Sequence, residues 1–408
     1  MKKILFLLLV SANTFVNGQK IYECIKDKSY KIEDNNYVFL KDILANKQII
    51  ILGEVGHGDG TTFEKKAKLI QYLQKELGYN TIALEGGGVW EIPYALHEVK
   101  KGKDFKIELS KSWFDVWTNC KQTELFTSFL EQNLNYIDII GIEPQPFNIY
   151  STSIGKAVES VFGTGVMGGI DTSFFNRNLL LYFYSHFDTA YKADIPALEK
   201  DLSTLEENLI KINNSEKDVY LQGITNFKAA MKFLELVKGN WEKQNEGINL
   251  RDKIMADNIL WYLQKNSKAK IIIWTANFHA AKNLHQAVYK EDDNFYQVMT
   301  PLGQRLYETL SDKVYSIAFT SYDGETAMYY SPESYTIESP ENTLEYEIND
   351  KFTDSNLFID FSAVRKDTAC SSKRFSSIML GYDSKTGNWF NIFDGLFFIK
   401  TMGRCEKN

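Results

Sequence analysis

The chain has 408 residues, with 53 acidic against 46 basic side chains and a formal charge of −7. That acidic balance argues against a nucleic-acid surface, which draws on clustered Lys and Arg. A high aromatic content, 14%, suits a large core or a groove for an apolar or sugar-like ligand, and core packing accounts for most of it.

The N-terminus reads as an export leader. Lys2-Lys3 form a basic start, Ile4 to Val10 is apolar, and Val16-Asn17-Gly18 offers small residues for cleavage before Gln19. The apolar run is too short to span a bilayer, and no later segment approaches that length. Residues 1–18 carry two lysines and no acid, so the mature chain 19–408 has a charge of −7 − 2 = −9. An exported, periplasmic or extracellular protein is expected. Four cysteines, Cys24, Cys120, Cys370 and Cys405, allow three pairings in an oxidising compartment. The pairing expected is Cys370 with Cys405, which would staple the C-terminal segment.

Gln48 to Leu52 (QIIIL) is continuously apolar, as in a strand buried on both faces of a parallel sheet. It runs into Gly53-Glu54-Val55-Gly56-His57-Gly58, a tight glycine loop carrying a carboxylate and an imidazole. Thr61 to Glu64 (TTFE) reads as a capping box with Thr61 at the N-cap. Phe63, Ala67, Ile70, Leu73 and Leu77 then form one helical stripe that Gly78 closes. A second buried strand, Thr81 to Leu84, ends in Glu85 before Gly86-Gly87-Gly88. Such a strand–helix–strand unit makes its two strands parallel, so Glu54, His57 and Glu85 are expected to converge on one sheet edge.

Further strands are expected at 137–142, 270–274 and 314–319, followed by Glu143, Thr275 and Thr320. Polar residues after successive buried strands are what a ligand-binding edge of a parallel sheet looks like. Between the third and fourth strands, residues 151–266 read as mainly helical. Stripes run through Tyr220, Ile224, Phe227, Met231 and Leu234, and through Met255, Ile259 and Tyr262. The expected fold is therefore α/β: one domain, 19–408, with a mostly parallel sheet, flanking helices, and a helical insertion forming a wall or cap over the C-terminal strand edge. After Ser321 the chain turns to short strands and turns, with Gly381 to Gly387 as a loop between two of them.

Of five histidines, His57 sits where loops carry chemistry. His279 lies just past the fourth strand, where a helix-capping role competes with a site role. His97 and His186 fit surface positions, and His285 does not share a helical face with His279. Glu85 and Glu54 each follow a buried strand, where a carboxylate is costly unless paired or used. Glu143 is either a third acid or a cap for the next segment. Arg251-Asp252 opens a helix, where it would hold the insertion against the sheet.

These residues resemble the erythromycin esterase family. Gly53 to Gly58 is similar to its GE-x-x-HG hallmark, with Glu85 ending the next strand. Arg251 to Asn258 resembles its RDxxMAEN helix, Trp274 to His279 its W-x-H-N-x-H strand end, and Phe393 to Ile399 its closing strand; Pro301-Leu302-Gly303 and Val314 to Phe319 also fit. The resemblance spans residues 35 to 402. It implies an α/β hydrolase acting on an ester or lactone, with His57 as general base activating water, Glu54 and Glu85 orienting it or the substrate, and His279 beside them. Lys66 stands where the family often has arginine, and would bind substrate or its oxyanion. Lysine there keeps the charge but loses the bidentate fork. Ala276 replaces the first histidine of the family's pair, removing an imidazole that could donate a proton or stabilise an oxyanion. No G-x-S-x-G elbow is present, which argues against a serine nucleophile. No cofactor is implied. A divalent metal held by the same residues, and a non-catalytic binding protein, are the alternatives.

Overall fold

In the computed structural model the isoleucine run lies at the middle of a nine-stranded sheet. Residues 21–238, 241–288, 294–327, 333–352 and 356–407 are described, so the expected leader, residues 1–18, falls outside them. The strands of this sheet are β1 (Ser29–Lys31), β2 (Ile49–Leu52), β3 (Thr81–Gly88), β4 (Asp138–Glu143), β5 (Ile271–Trp274), β6 (Val314–Ala327), β7 (Ser334–Glu338), β8 (Leu357–Asp360) and, after a small separate pair β9 (Phe375–Ser377) and β10 (Lys385–Gly387), β11 (Gly395–Met402). Their order is β1-β8-β11-β6-β2-β5-β3-β4, with β7 paired to β6. The six strands from β11 to β4 are mutually parallel; β1, β7 and β8 add antiparallel margins. The architecture is α/β with a mostly parallel sheet.

Alternate residues of the central strands feed separate cores. Ile49, Ile51, Ile271 and Ile273 pack on one face; Ile50, Leu52, Ile272 and Trp274 pack on the other. A sheet buried on both faces needs apolar residues at every position, which is why these strands read as runs. The helix α1 (Gly60–Leu77) covers the second face with Phe63, Ala67, Ile70 and Leu73, and Gly78 ends it in the left-handed region at φ 71°. After α2 (Glu91–Lys100), five helices separate β4 from β5: α3 (Ile154–Phe162), α4 (Thr172–Tyr184), α5 (Ile195–Lys211), α6 (Lys217–Val237) and α7 (Trp241–Lys265). The first four build a core of their own with Val89 and Trp90, while α7 turns Met255, Ala256 and Ile259 onto the sheet. Among the described residues no helix is long and apolar enough to cross a membrane.

Three local expectations change. Helix α1 starts at Gly60, with Asp59 rather than Thr61 at its N-cap. The hydroxyl of Thr61 instead accepts from the Gly403 amide (2.7 Å), so the capping box does not form. Strand β3 continues through Glu85 to Gly88, with a register shift against β4 after Leu84. The disulfides are Cys24–Cys370 and Cys120–Cys405, which corrects the expected Cys370–Cys405 bond. The C-terminal segment is stapled, but to the Cys120 loop: the Cys405 amide donates to Gly58 O (2.7 Å) and the Lys121 amide to Glu406 O (2.8 Å). Cys370 instead meets Cys24, in the short N-terminal helix Ile21–Ile25, and the two share one core.

Candidate active site

Strands β2 and β3 are parallel, as the βαβ reading requires, but they are not neighbours; β5 lies between them. The residue pair that follows it, Thr275-Ala276, therefore sits between Glu54 and Glu85. Gly53 is forced by this packing, because a Cβ there would lie 2.0 Å from Asn277 Oδ1. The Asn277 amide donates to Glu54 O (2.7 Å), and its side chain bridges β6 at Phe319 to Met379 O (2.8 Å).

Two clusters face each other across Thr275. In the first, His57 Nδ1 lies 2.8 Å from Glu54 Oε1, and Trp117 Nε1 donates to the same oxygen (3.0 Å). Lys66 Nζ pairs with Glu54 Oε2 and donates to Thr275 O (2.9 Å). A carboxylate accepts only, so the His57 ring proton sits on Nδ1 and its Nε2 is left as a base. Burial alone would pull His57 down. The hydrogen bond and charge of Glu54, with the charge of Glu85, outweigh it and hold the imidazole above its ordinary value. The His57 side chain keeps 35% of its surface exposed. Expected to meet substrate, Lys66 is instead wholly buried, with its ammonium also 4.6 Å from the Trp274 ring. Desolvation lowers its pKa against the pull of Glu54. It holds Glu54 from below and presents nothing to a ligand.

In the second cluster Glu85 Oε2 accepts from Thr275 Oγ1 (2.5 Å) and the Ala276 amide (3.0 Å). Its Oε1 accepts from Arg251 Nη2 (2.8 Å) and lies 3.3 Å from His279 Nε2. Arg251 also clamps Glu143 through Nε (2.9 Å) and Nη2 (2.5 Å). Desolvation would raise Glu85, but His279, Arg251 and His57 hold its carboxyl well below the usual range. His279 Nδ1 contacts Asp252 Oδ1 at 2.8 Å. Burial lowers His279, yet Asp252 and Glu85 push it up to about 10. Its Nε2 also lies 2.7 Å from Arg251 Nη1, and a guanidinium has no acceptor. That contact is a hydrogen bond only when His279 is neutral with its proton on Nδ1. The carboxylates thus favour a proton on His279 that the Arg251 contact opposes.

The structure brings Glu54, His57, Glu85 and His279 to one edge. It adds Arg251, Asp252 and Trp117, which the sequence reading did not place in the site, and Glu143 and Thr275, which it placed on the strand edge without a role. Arg251-Asp252 does fasten α7 to the sheet, but it does so through the site's own acids. Glu143 carried the same signal as Glu85, an acid closing a buried strand. Three such acids beside one lysine called for another cation. His186 and His285 lie apart. His97 is half-buried on α2, its Nε2 without a partner. Among the described residues no group of three or more His, Cys, Asp or Glu is arranged to hold a metal ion.

A mostly parallel α/β sheet with a histidine–carboxylate pair and an arginine-clamped acid at its C-terminal edge defines a class: α/β enzymes that build their site on strand ends. The erythromycin esterase family model matches residues 178–402, more than half of the chain, and the chain belongs to that family of hydrolases. It is 27% identical over 313 residues to the putative hydrolase YbfO of Bacillus subtilis (strain 168), covering 70% of this chain and 67% of that one. It is 25% identical over 429 residues to the erythromycin esterase type II of Escherichia coli, covering 94% and 98%. Among solved structures, a Bacillus cereus protein superposes with TM-score 0.70 at 17% identity, covering 90% of this chain and 92% of that one. A mutant of the erythromycin esterase EreC in its open conformation gives 0.65 at 16% identity, covering 92% and 95%. These structural likenesses bear on the fold alone.

Proposed function

We propose that the chain is an exported hydrolase that opens an ester or lactone by direct attack of water, with His57 as general base. The observation that carries this reading is the Glu54–His57 pair. Nδ1–H is held by a carboxylate that is itself fixed by Lys66 and Trp117, so Nε2 is aimed outward in one tautomer. In the reaction, water oxygen bonds to the carbonyl carbon as His57 Nε2 takes the water proton. Charge developing on the carbonyl oxygen would be met by Arg251, the permanent cation of the second cluster. His57 then returns its proton to the leaving alkoxide, giving an acid and an alcohol. Lys66 acts through Glu54 and is a positioning residue. Ala276 contributes its amide to Glu85 and no side-chain donor, so Arg251 would carry more of the oxyanion's charge. Export is supported by the leader-like N-terminus and by two cysteine pairs within bonding distance.

The test is a hydrolysis screen of the 19–408 chain against esters, lactones and macrolides beside His57→Ala. Turnover lost at least 100-fold in a folded variant is expected, as for removal of a general base. Undiminished turnover in the variant would end the proposal.

A further inference from the structure

We propose that the groove between the loop after β4 and helix α4 is an acyl or aryl subsite, so that the substrate is an ester with an extended, uncharged apolar arm. The inference rests on the hydrolase reading for the position of the ester bond, and on the groove itself for the arm. The groove has a volume of about 380 Å³, within the range of small-molecule sites. Phe147 and Ile149 form one wall; Leu180, Phe183, Tyr184 and Phe187 form the other. None of its ten lining residues carries a formal charge. Five large apolar side chains remain exposed there, led by Phe187 at 71% and Ile149 at 69%. Isolated apolar exposure is ordinary, but five together around a concavity mark a surface waiting for an apolar partner.

Continuity with the site identifies that partner as substrate. The loop leaves β4 at Glu143, which Arg251 clamps, and reaches Phe147 four residues later. Asn148, which lines the groove, donates to Gly86 O (2.9 Å), the carbonyl next after Glu85. A ladder of rings covers the remaining distance: His57 to Trp117 at 5.1 Å, Trp117 to Phe114 at 6.1 Å, and Phe114 to Phe147 at 5.6 Å. The wall is also fixed in advance. Asn148 Nδ2 further donates to Glu91 Oε2 (2.7 Å) and Ser112 O (3.1 Å), and Ser151 Oγ lies 2.8 Å from Glu91 Oε1. Trp117 is buried beneath this path, so an arm leaving the carbonyl at His57 would pass over half-buried Phe114 and exposed Phe147 into a preformed apolar slot.

The test pairs binding with turnover in the 19–408 chain. Neutral N-phenylnaphthylamine fluorescence reads binding, and the octanoate-to-acetate ratio of kcat/KM on nitrophenyl esters reads the subsite. The ratio is expected to reach about 10–100, from a gain of up to about fourfold per buried methylene. Leu180→Asp and Phe187→Asp should each weaken probe binding at least tenfold and bring the ratio toward one. Ile210→Asp, an exposed apolar position on α5, should leave probe binding unchanged. Phe187 is exposed enough that its variant folds even if the Leu180 variant does not. Probe binding that the groove variants abolish, without hydrolysis of any ester, keeps the groove and removes the hydrolase reading. Hydrolysis with a flat chain-length profile and no probe binding removes the groove and keeps the hydrolase. A dimer that Phe187→Asp dissociates would assign the surface to a second copy and overturn the subsite.

Discussion

Replacing Arg251 by methionine separates the site's electrostatics from its packing. The guanidinium, on a side chain 12% exposed, is shared by Glu85 and Glu143, whose side chains are 2% and 0% exposed. Methionine keeps the apolar stem and removes three hydrogen bonds to carboxylates. Glu85 retains Thr275, the Ala276 amide and His279. Among the described residues, Glu143 keeps only the Gln145 amide as a side-chain partner (3.0 Å). Removing one partner of a buried ion pair costs about 3–5 kcal/mol, because the other charge is left in low dielectric. At about 2 °C or less per kcal/mol in a chain of this size, Tm should fall by roughly 5–10 °C at pH 8. The sign with pH then follows. In the wild type Glu85 is held below its unfolded value, so its contribution is present above about pH 4.5 and is lost only as pH falls through the lower folded value. In the variant Glu85 loses the Arg251 charge that helps hold it down, so less of that contribution is present above about pH 4.5 and less is left to lose below it. The Tm gap between variant and wild type should therefore hold from pH 8 to about pH 5 and narrow as pH falls below about 4.5. Near-UV circular dichroism melts from pH 8 to pH 3 measure it. Adding Glu143→Gln to the variant, which removes the carboxylate left without its guanidinium, should recover part of the loss at pH 8. A gap that does not narrow below about pH 4.5, or is absent at pH 8, refutes the account.

Three further outcomes are expected. The pH profile of kcat/KM on any hydrolysed ester should rise through the His57 pKa, above 6.5, because only the neutral ring accepts a proton; Glu54→Gln removes the group that raises it, so the rising limb should move to lower pH with a lower plateau. Non-reducing peptide mapping should recover the Cys24–Cys370 and Cys120–Cys405 linked fragments; a Cys370–Cys405 fragment would contradict the described packing. Gly53→Ala should cost several kcal/mol in stability, about 2–4, since its Cβ would stand 2.9 Å from the Asn277 backbone as well as against its side chain; a Tm equal to wild type would show that β5 can shift.

What could be read in the sequence is what periodicity and local order encode. The five core strands announce themselves because burial on both faces demands unbroken apolar runs, and Glu54 and Glu85 because each ends such a run. The parallel arrangement followed from one βαβ unit, and with it the convergence of His57 and Glu85. The insertion of β5 between β2 and β3 was not legible, since strand order depends on contacts hundreds of residues apart. That insertion makes Thr275 the bridge between the clusters and buries Lys66 beneath it. Lys66 looked like a ligand-facing cation because its position on α1 follows the His57 loop, yet the stripe Phe63-Ala67-Ile70 turns that same helix face to the sheet. A lysine at i+3 from Phe63 must then share the buried face, and only a carboxylate at the strand end could keep its charge there.

Arg251 is the complementary case. Its partners Glu85 and Glu143 lie 166 and 108 residues before it, and a helix-opening Arg-Asp pair has an ordinary local explanation. Charge balance supplies the argument that spacing cannot. Glu54, Glu85, Glu143 and Asp252 are all buried, and Lys66 answers only the first. An edge with three uncompensated acids would not fold with its carboxylates ionised. A second cation had to come from the helices, and α7 is the one that turns from the helical layer back onto the sheet. The same arginine that lets the site fold also lies 2.7 Å from His279 Nε2, so on the proposed hydrolase reading the charge that holds this edge together is the charge offered to the oxyanion.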